Sequence, residues 1–141
     1  MMWPTGPGNL IRAAEEAGVR KFVLVSTLGT DNTNPLLLSA FWGVLYFKKR
    51  SEETLQSSSM DYTIVRPGNL RSTVEGGSET GNTTLGRRGS FSFGFRILRS
   101  EVARCCVEAL AAKEASNKIV EIVAKRDAPA LSYPELFQGI A

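Results

Sequence analysis

Three short apolar runs, with helical segments between them, most constrain the fold of this chain. They occupy residues 21–26, 62–65 and 119–123. Each run is nearly continuous rather than alternating, which is typical of strands covered on both faces in a parallel sheet. Alternation of helices and strands favours right-handed crossovers between parallel neighbours. With 141 residues, the chain is therefore predicted to be one α/β domain.

The helical segments have recognisable starts and stops. An apolar stripe over residues 9–17 predicts a first helix. A second is predicted over about residues 38–57, and a third begins at Ser100. The last short helix begins near Ser132, because Glu135 lies three residues later, at the spacing of a capping box.

The connecting segments are polar. Residues 27–35 are predicted to be a loop, and residues 71–94, rich in glycine, serine and threonine, a much longer one. A loop of that length in a compact domain is usually functional or mobile. Three alternating aromatic residues predict a short strand within it: Phe91, Phe93 and Phe95. Residues 1–8 are expected to be disordered.

Composition excludes several kinds of site. The chain contains no histidine, so acid–base chemistry falls to Tyr, Lys, Cys, Asp or Glu. The adjacent Cys105 and Cys106 would point about 100° apart on a helix and cannot jointly bind a metal. They are interpreted as core or helix-surface residues, with a redox role as the alternative. No metal site is predicted.

Charge and hydropathy give no sign of nucleic-acid or membrane binding. The net charge of +3 comes from scattered basic residues, which is a poor footprint for duplex binding. The longest apolar run, residues 36–47, is too short to span a bilayer. The N-terminal residues look like neither a signal peptide nor a transit peptide.

Several segments resemble the NmrA-like, NAD(P)-binding branch of the atypical short-chain dehydrogenase/reductase family. Those segments are residues 9–11, 18–26, 52–53, 62–68, 101–103 and 119–123. Within that branch, residues 41–45 and 79–85 are most similar to a plastid and cyanobacterial group that includes a Rossmann protein of the chloroplast inner-envelope translocon. The resemblance implies a Rossmann-like parallel sheet flanked by helices, and a cofactor that is NADP or NAD.

The resemblance begins about midway through the family domain, so the N-terminal strands are expected to be missing. Family members hold the pyrophosphate with a Gly-rich turn between a strand and a helix. Residues 6–8 are not that motif. Binding by this chain alone is therefore expected to be weak or absent. The strand at 22–26 would lie at an exposed sheet edge, where a protein partner could cover it.

The resemblance also implies catalytic residues. Ser26 follows the first predicted strand and would orient a carbonyl. Tyr46 would be the proton donor, and Arg50, four residues later, would take the place of the family lysine. Arginine is a poor substitute in a proton relay, because it does not readily release a proton. The alternative is that Ser26 bonds local backbone, Tyr46 packs, and residues 48–50 form a solvated helix face.

The cofactor contacts implied by the resemblance cluster after the first two strands. The turn at Arg66, Pro67 and Gly68 matches a family turn whose backbone meets the nicotinamide. Residues 26–27 and Asn69 would line the same cleft, so the predicted contacts are Ser26, Thr27, Arg66, Pro67, Gly68 and Asn69. A turn that simply ends a strand would have the same sequence.

Two functions are left open. The first is an NADPH-dependent oxidoreductase homologue, cut short and inactive alone. The second is a non-catalytic NAD(P)-sensing or scaffold module, which the arginine at position 50 and the absent phosphate turn favour. Location is expected to be the chloroplast by resemblance, with the cytoplasm as the alternative.

Overall fold

The structure is a computed structural model that describes residues 6–72 and 81–140, without the side chains of residues 37–42. The helices are α1 (Gly6–Glu16), α2 (Pro35–Gln56), α3 (Arg99–Ala111) and α4 (Tyr133–Gln138), with a 3-10 turn at Lys113–Ala115. The strands are β1 (Lys21–Val25), β2 (Asp61–Pro67), β3 (Asn69–Arg71), β4 (Asn82–Arg87), β5 (Arg96–Leu98) and β6 (Lys118–Lys125).

The main sheet has the order β1-β2-β6-β4. β1, β2 and β6 are parallel, and β4 is antiparallel to β6. A separate parallel pair is formed by β3 and β5. The predicted fold class, an α/β structure dominated by parallel strands and flanked by helices, is confirmed.

Alternate residues of β2 serve two cores, one on each face of the sheet. Ile64 packs with Ile11 of α1 and Leu55 of α2. Val65 packs on the other face with residues of α3, β6 and α4, among them Cys105. Burial raises the pKa of the Cys105 thiol to about 12, so its reactive thiolate form is scarce near neutral pH.

Local signals fix the helix ends, and two of them shift the predicted bounds. Asn34 caps α2 by accepting a hydrogen bond from the Leu36 amide at 3.0 Å, so this helix starts before residue 38. Gly6–Gly8 form the first turn of α1. The expected disorder is therefore wrong for those three residues, and residues 1–5 lie outside the description. The capping box at Ser132 and Glu135 is confirmed.

The predicted long loop at 71–94 contains a strand, β4, while residues 73–80 lie outside the description. The short strand predicted at the three phenylalanines is wrong, because pairing begins only at Arg96. Their alternation reflects ring packing. The rings of Phe91 and Phe95 lie 5.6 and 5.5 Å from the Lys125 ammonium, and Phe93 packs directly on Gly29.

One further expectation concerns the sheet edge. β1 is the terminal strand of the main sheet, as predicted, and pairs with β2 on one side only among the described strands. A partner for its outer side stays a prediction. None of the helices in the described ranges is long and apolar enough to cross a membrane.

We expect Val120→Ala to lower the free energy of unfolding by about 2 kcal/mol, because Val120 is fully buried in β6 and the change leaves a cavity. Val107→Ala on α3 is the matched control. Val107 is exposed, so the same change should cost less than about 0.5 kcal/mol. Urea unfolding of both variants measures the difference, and equal losses would contradict the assignment of the core.

Candidate functional site

The carboxyl ends of β1 and β2 bring most of the predicted contacts together. Ser26 directly follows β1, and its amide donates to the Val65 carbonyl at 2.7 Å. The Leu28 amide donates to the Pro67 carbonyl at 3.2 Å. Residues 26–28 and the end of β2 therefore share one edge of the sheet. In open α/β sheets, this is the edge at which ligands bind.

The Ser26 hydroxyl is buried and has no hydrogen-bond partner within the described ranges. Buried polar groups almost always have a partner, because desolvation without a hydrogen bond is costly. The alternative interpretation, in which the Ser26 hydroxyl bonds local backbone, does not agree with the structure, because this hydroxyl bonds none of the described residues. An orphaned donor at this edge fits a ligand that would supply the missing partner.

Lys48, which was not predicted, reaches Ser26. Its ammonium lies 3.5 Å from the Ser26 carbonyl oxygen. Burial lowers the pKa of Lys48, while the charge of Glu52 opposes that effect. The sequence did contain a signal: Leu45, Lys48, Glu52 and Leu55 follow helical spacing, and three of them are buried. Lys48 therefore lies on the stripe of α2 that faces the sheet.

Arg50 and Tyr46 lie elsewhere on α2. Arg50 is exposed and pairs with Glu53 at 3.3 Å. Half of the Tyr46 side chain is exposed, and its ring packs edge-on against Phe47 at 5.5 Å. Tyr46 is two positions before Lys48, and a spacing of two residues on a helix turns the side chain by about 200°, so Tyr46 points away from Lys48. The structure brings neither side chain to Ser26, and their catalytic roles stay predictions.

Arg66 is buried, and most of its guanidinium N–H groups are hydrogen-bonded within the fold. Its Nε donates to Glu52 Oε1 at 3.0 Å, and its Nη2 donates to Glu52 Oε2 at 2.7 Å. Both terminal nitrogens also donate to the Asp31 carboxylate. These contacts use four of the five N–H groups of the guanidinium. The predicted contact with cofactor would therefore come from the Arg66 backbone.

The network extends from the interior to the surface. The Thr30 hydroxyl donates to Glu52 at 3.2 Å. Asp31 also accepts two hydrogen bonds from Arg88, at 2.8 and 2.6 Å. Partial burial would raise the pKa of Asp31, but the two arginines outweigh it and hold the pKa below its usual value. Asp31 is therefore a carboxylate at neutral pH, shared by a buried and an exposed cation.

The backbone at the end of β2 has little spare room. The Gly68 amide donates to the Ile122 carbonyl at 3.0 Å, and a Cβ at Gly68 would lie 2.5 Å from the Phe95 carbonyl oxygen. Only glycine fits this approach. Asn69 is exposed, and its amide donates to the Phe93 carbonyl at 2.9 Å. The Asn69 side chain thus links the residues that follow β2 to the segment of residues 88–95.

A separate cavity of about 350 Å³ lies between β4, α3 and α4. The Tyr133 hydroxyl at its wall donates to the Glu101 carbonyl at 2.9 Å, and burial raises the pKa of Tyr133. None of the predicted site residues lines this cavity. The orphaned Ser26 hydroxyl and the nearby Lys48 make the strand-end edge the better candidate site.

Comparison with known proteins gives a family match. A family model described as NAD(P)H-binding matches residues 5–113. An uncharacterized chloroplastic protein of Arabidopsis thaliana is 38% identical over 143 residues, covering 96% of this chain and 49% of the relative. The chloroplastic protein TIC 62 of Pisum sativum is 39% identical over 126 residues, covering 86% of this chain and 23% of that protein.

A solved structure shares the fold. A candidate NAD-dependent epimerase/dehydratase of Bacillus halodurans superposes with a TM-score of 0.76 at 26% identity. The match covers 96% of this chain and 58% of that structure. The chain thus spans about half the length of one of the curated relatives it matches, and about a quarter of the other.

We expect Glu52→Ala to lower the free energy of unfolding by about 3–5 kcal/mol, because it removes one partner of a buried ion pair. Glu53→Ala removes the partner of an exposed pair and should cost less than about 1 kcal/mol. Chemical unfolding of these neighbouring variants measures both. Similar losses would mean that the buried pair is not formed.

The pH dependence of stability should carry a contribution from Asp31. Its folded-state pKa is lowered, so its contribution is fully present above the ordinary value of 3.8 and is lost as pH falls through the folded pKa. The free energy of unfolding should therefore fall more between pH 6 and pH 3 for the wild type than for Asp31→Asn, which has no carboxylate to protonate at this position. Asp127→Asn, at an exposed carboxylate, should behave like the wild type.

Proposed function

The chain belongs to the NAD(P)H-binding family, and from this premise we propose that it forms the nicotinamide end of a dinucleotide site. The observation that supports this most directly is the buried Ser26 hydroxyl at the carboxyl end of β1, which has no hydrogen-bond partner among the residues that the structure describes. Lys48 adds a cation next to it. Pro67 and Gly68 bound the other side of the same edge.

These side chains suit the polar parts of a nicotinamide nucleoside. Bound NAD(P)H would supply a hydride. The Ser26 hydroxyl would donate a hydrogen bond to a carbonyl or carboxamide oxygen, and its burial would keep water away from that bond. The Lys48 ammonium would donate to ribose hydroxyls. Thr27 and Asn69 would flank this position, and the backbone of residues 66–68 would close it.

The second candidate is an NAD(P)-sensing module that binds cofactor without oxidising it. The observation in its favour is the residue one helical turn before Lys48, which is Val44 and not a tyrosine. Valine cannot donate a proton. Tyr46, the predicted proton donor, points away from Lys48. NADPH oxidation with a carbonyl or quinone acceptor distinguishes the two candidates, and turnover independent of Tyr46 would favour a reductase with another donor.

A complete dinucleotide site also needs residues that bind the pyrophosphate. Within the described ranges, no strand precedes α1 and residues 6–8 are helical, so no strand–turn–helix cradle for the pyrophosphate is present there. We propose weak binding of NADP or NAD by this chain alone. We also propose a plastid location, because the relatives named above are chloroplastic.

Titration of the purified chain with millimolar NADPH, followed by the melting temperature, tests the proposal, since a ligand stabilises the state that it binds. We expect the melting temperature to rise. Ser26→Ala and Lys48→Met should each weaken NADPH binding by about tenfold, which corresponds to about 1.4 kcal/mol. Lys49→Met is the matched control and should leave the affinity unchanged.

Three results would count against the proposal. A melting temperature unmoved by NADPH would overturn it. Equal losses in Lys48→Met and Lys49→Met would mean that general charge, and not the contact at Ser26, controls affinity. A loss in Arg50→Met without one in Lys48→Met would restore the sequence-based assignment of Arg50.

A further inference from the structure

Arg66 is a buried charged residue near the carboxyl end of an inner strand of the main sheet. It belongs to β2, its side chain is 2% exposed, and it pairs on one side with Glu52 of α2. On the other side it pairs with Asp31 of the β1–α2 connection. Three segments of the chain therefore meet at one guanidinium. They are also the segments that carry Lys48, Ser26 and Pro67.

We propose that Arg66 is a positioning residue, which binds the Glu52 carboxylate so that Lys48 stays at the Ser26 carbonyl instead of pairing with Glu52. This inference rests on the proposed function, in which Lys48 holds the nicotinamide end. In this inference the Arg66 side chain acts on Lys48 through Glu52 and does not itself contact the cofactor.

The competition follows from helix geometry. Glu52 is four residues after Lys48, so the two side chains lie on the same face one turn apart, at the spacing of a helical ion pair. Their charges already interact. Both carboxylate oxygens of Glu52 are bonded to Arg66, and Oε1 also accepts from the Thr30 hydroxyl. Glu52 is thus held by partners other than Lys48, which leaves the ammonium at Ser26.

Asp31 fixes the orientation of the guanidinium. It accepts from both terminal nitrogens of Arg66, and Arg88 holds Asp31 from the surface side. The charged groups behind Lys48 are therefore Glu52, Arg66, Asp31 and Arg88, in alternating sign. If Arg66 were neutral, the Glu52 carboxylate, whose charge already acts on Lys48, would lose its guanidinium partner.

The test is the titration of the Lys48 ammonium in the full chain, followed by NMR of labelled lysine side chains without cofactor and assigned with Lys48→Arg. In Arg66→Met, we expect the Lys48 midpoint to rise by about one pH unit, because an unmasked carboxylate one helical turn away stabilises the ammonium. In Arg66→Met/Glu52→Met, the competing charge is gone, and the midpoint should return to the wild-type value or below. NADPH affinity should fall several-fold in the single variant.

A purely structural Arg66 would lower stability without moving the Lys48 midpoint, and that result in any folded variant overturns the proposal. If Arg66→Met does not fold, Arg66→Lys takes its place. A lysine at position 66 supplies the charge but cannot bond Glu52 and Asp31 in the way that the guanidinium does. A smaller rise of the Lys48 midpoint is therefore expected, and an unchanged midpoint again overturns the proposal. Because the titration needs no cofactor, a chain that does not bind NADPH would contradict the proposed function and leave this readout interpretable.

Discussion

The buried pair of Arg66 and Glu52 is the interaction on which the rest of the site depends. A buried ion pair often contributes no more to stability than well-packed apolar residues of the same volume. Its retention here is better explained by geometry. The planar guanidinium bonds two carboxylates along two edges, which a compact ammonium could not do. α2 and the β1–α2 connection are thereby fixed against β2, and with them the positions of Lys48 and Ser26.

The segment of residues 88–95 lies over this polar region. Glu121 of β6, beside Arg66 in the register, accepts the amides of Gly89 at 2.8 Å and Phe91 at 2.9 Å. Phe93 packs on Gly29, where a Cβ would collide with the ring. Glu121 thus binds backbone amides of this segment, and Asp31 binds its Arg88 side chain. The segment is held by these polar contacts and not by packing of an apolar helix face. These contacts bind a mostly exposed segment to the sheet.

The sequence predicted the parallel strands because their apolar runs are local signals. It missed β4, whose residues Thr83, Thr84 and Gly86 form no apolar run, and whose pairing with β6 joins residues about forty positions apart. The sequence placed Ser26 and Pro67 at the ends of neighbouring strands, and the structure has them there, while a cofactor site at this edge stays a prediction. The resemblance, aligned through Glu52 and Glu53, predicts the catalytic cation at Arg50, and that role stays a prediction. The helical period, counted back from the buried Glu52, shows that Lys48 and not Arg50 lies on the face of α2 toward the sheet, near Ser26.

The remaining question about chemistry is where a proton could come from. Reduction of a carbonyl needs a donor within hydrogen-bond reach of the oxygen. Within the described ranges, Lys48 is the titratable side chain that contacts Ser26, and burial lowers its pKa. A lowered pKa makes an ammonium a better acid, but in the proposed site the same ammonium would also hold the ribose. A side chain that must both bind and donate serves each task less well than a tyrosine and lysine together. In the proposed site, Val44 lies one helical turn before Lys48 and cannot donate a proton, so we expect cofactor to be held without rapid turnover.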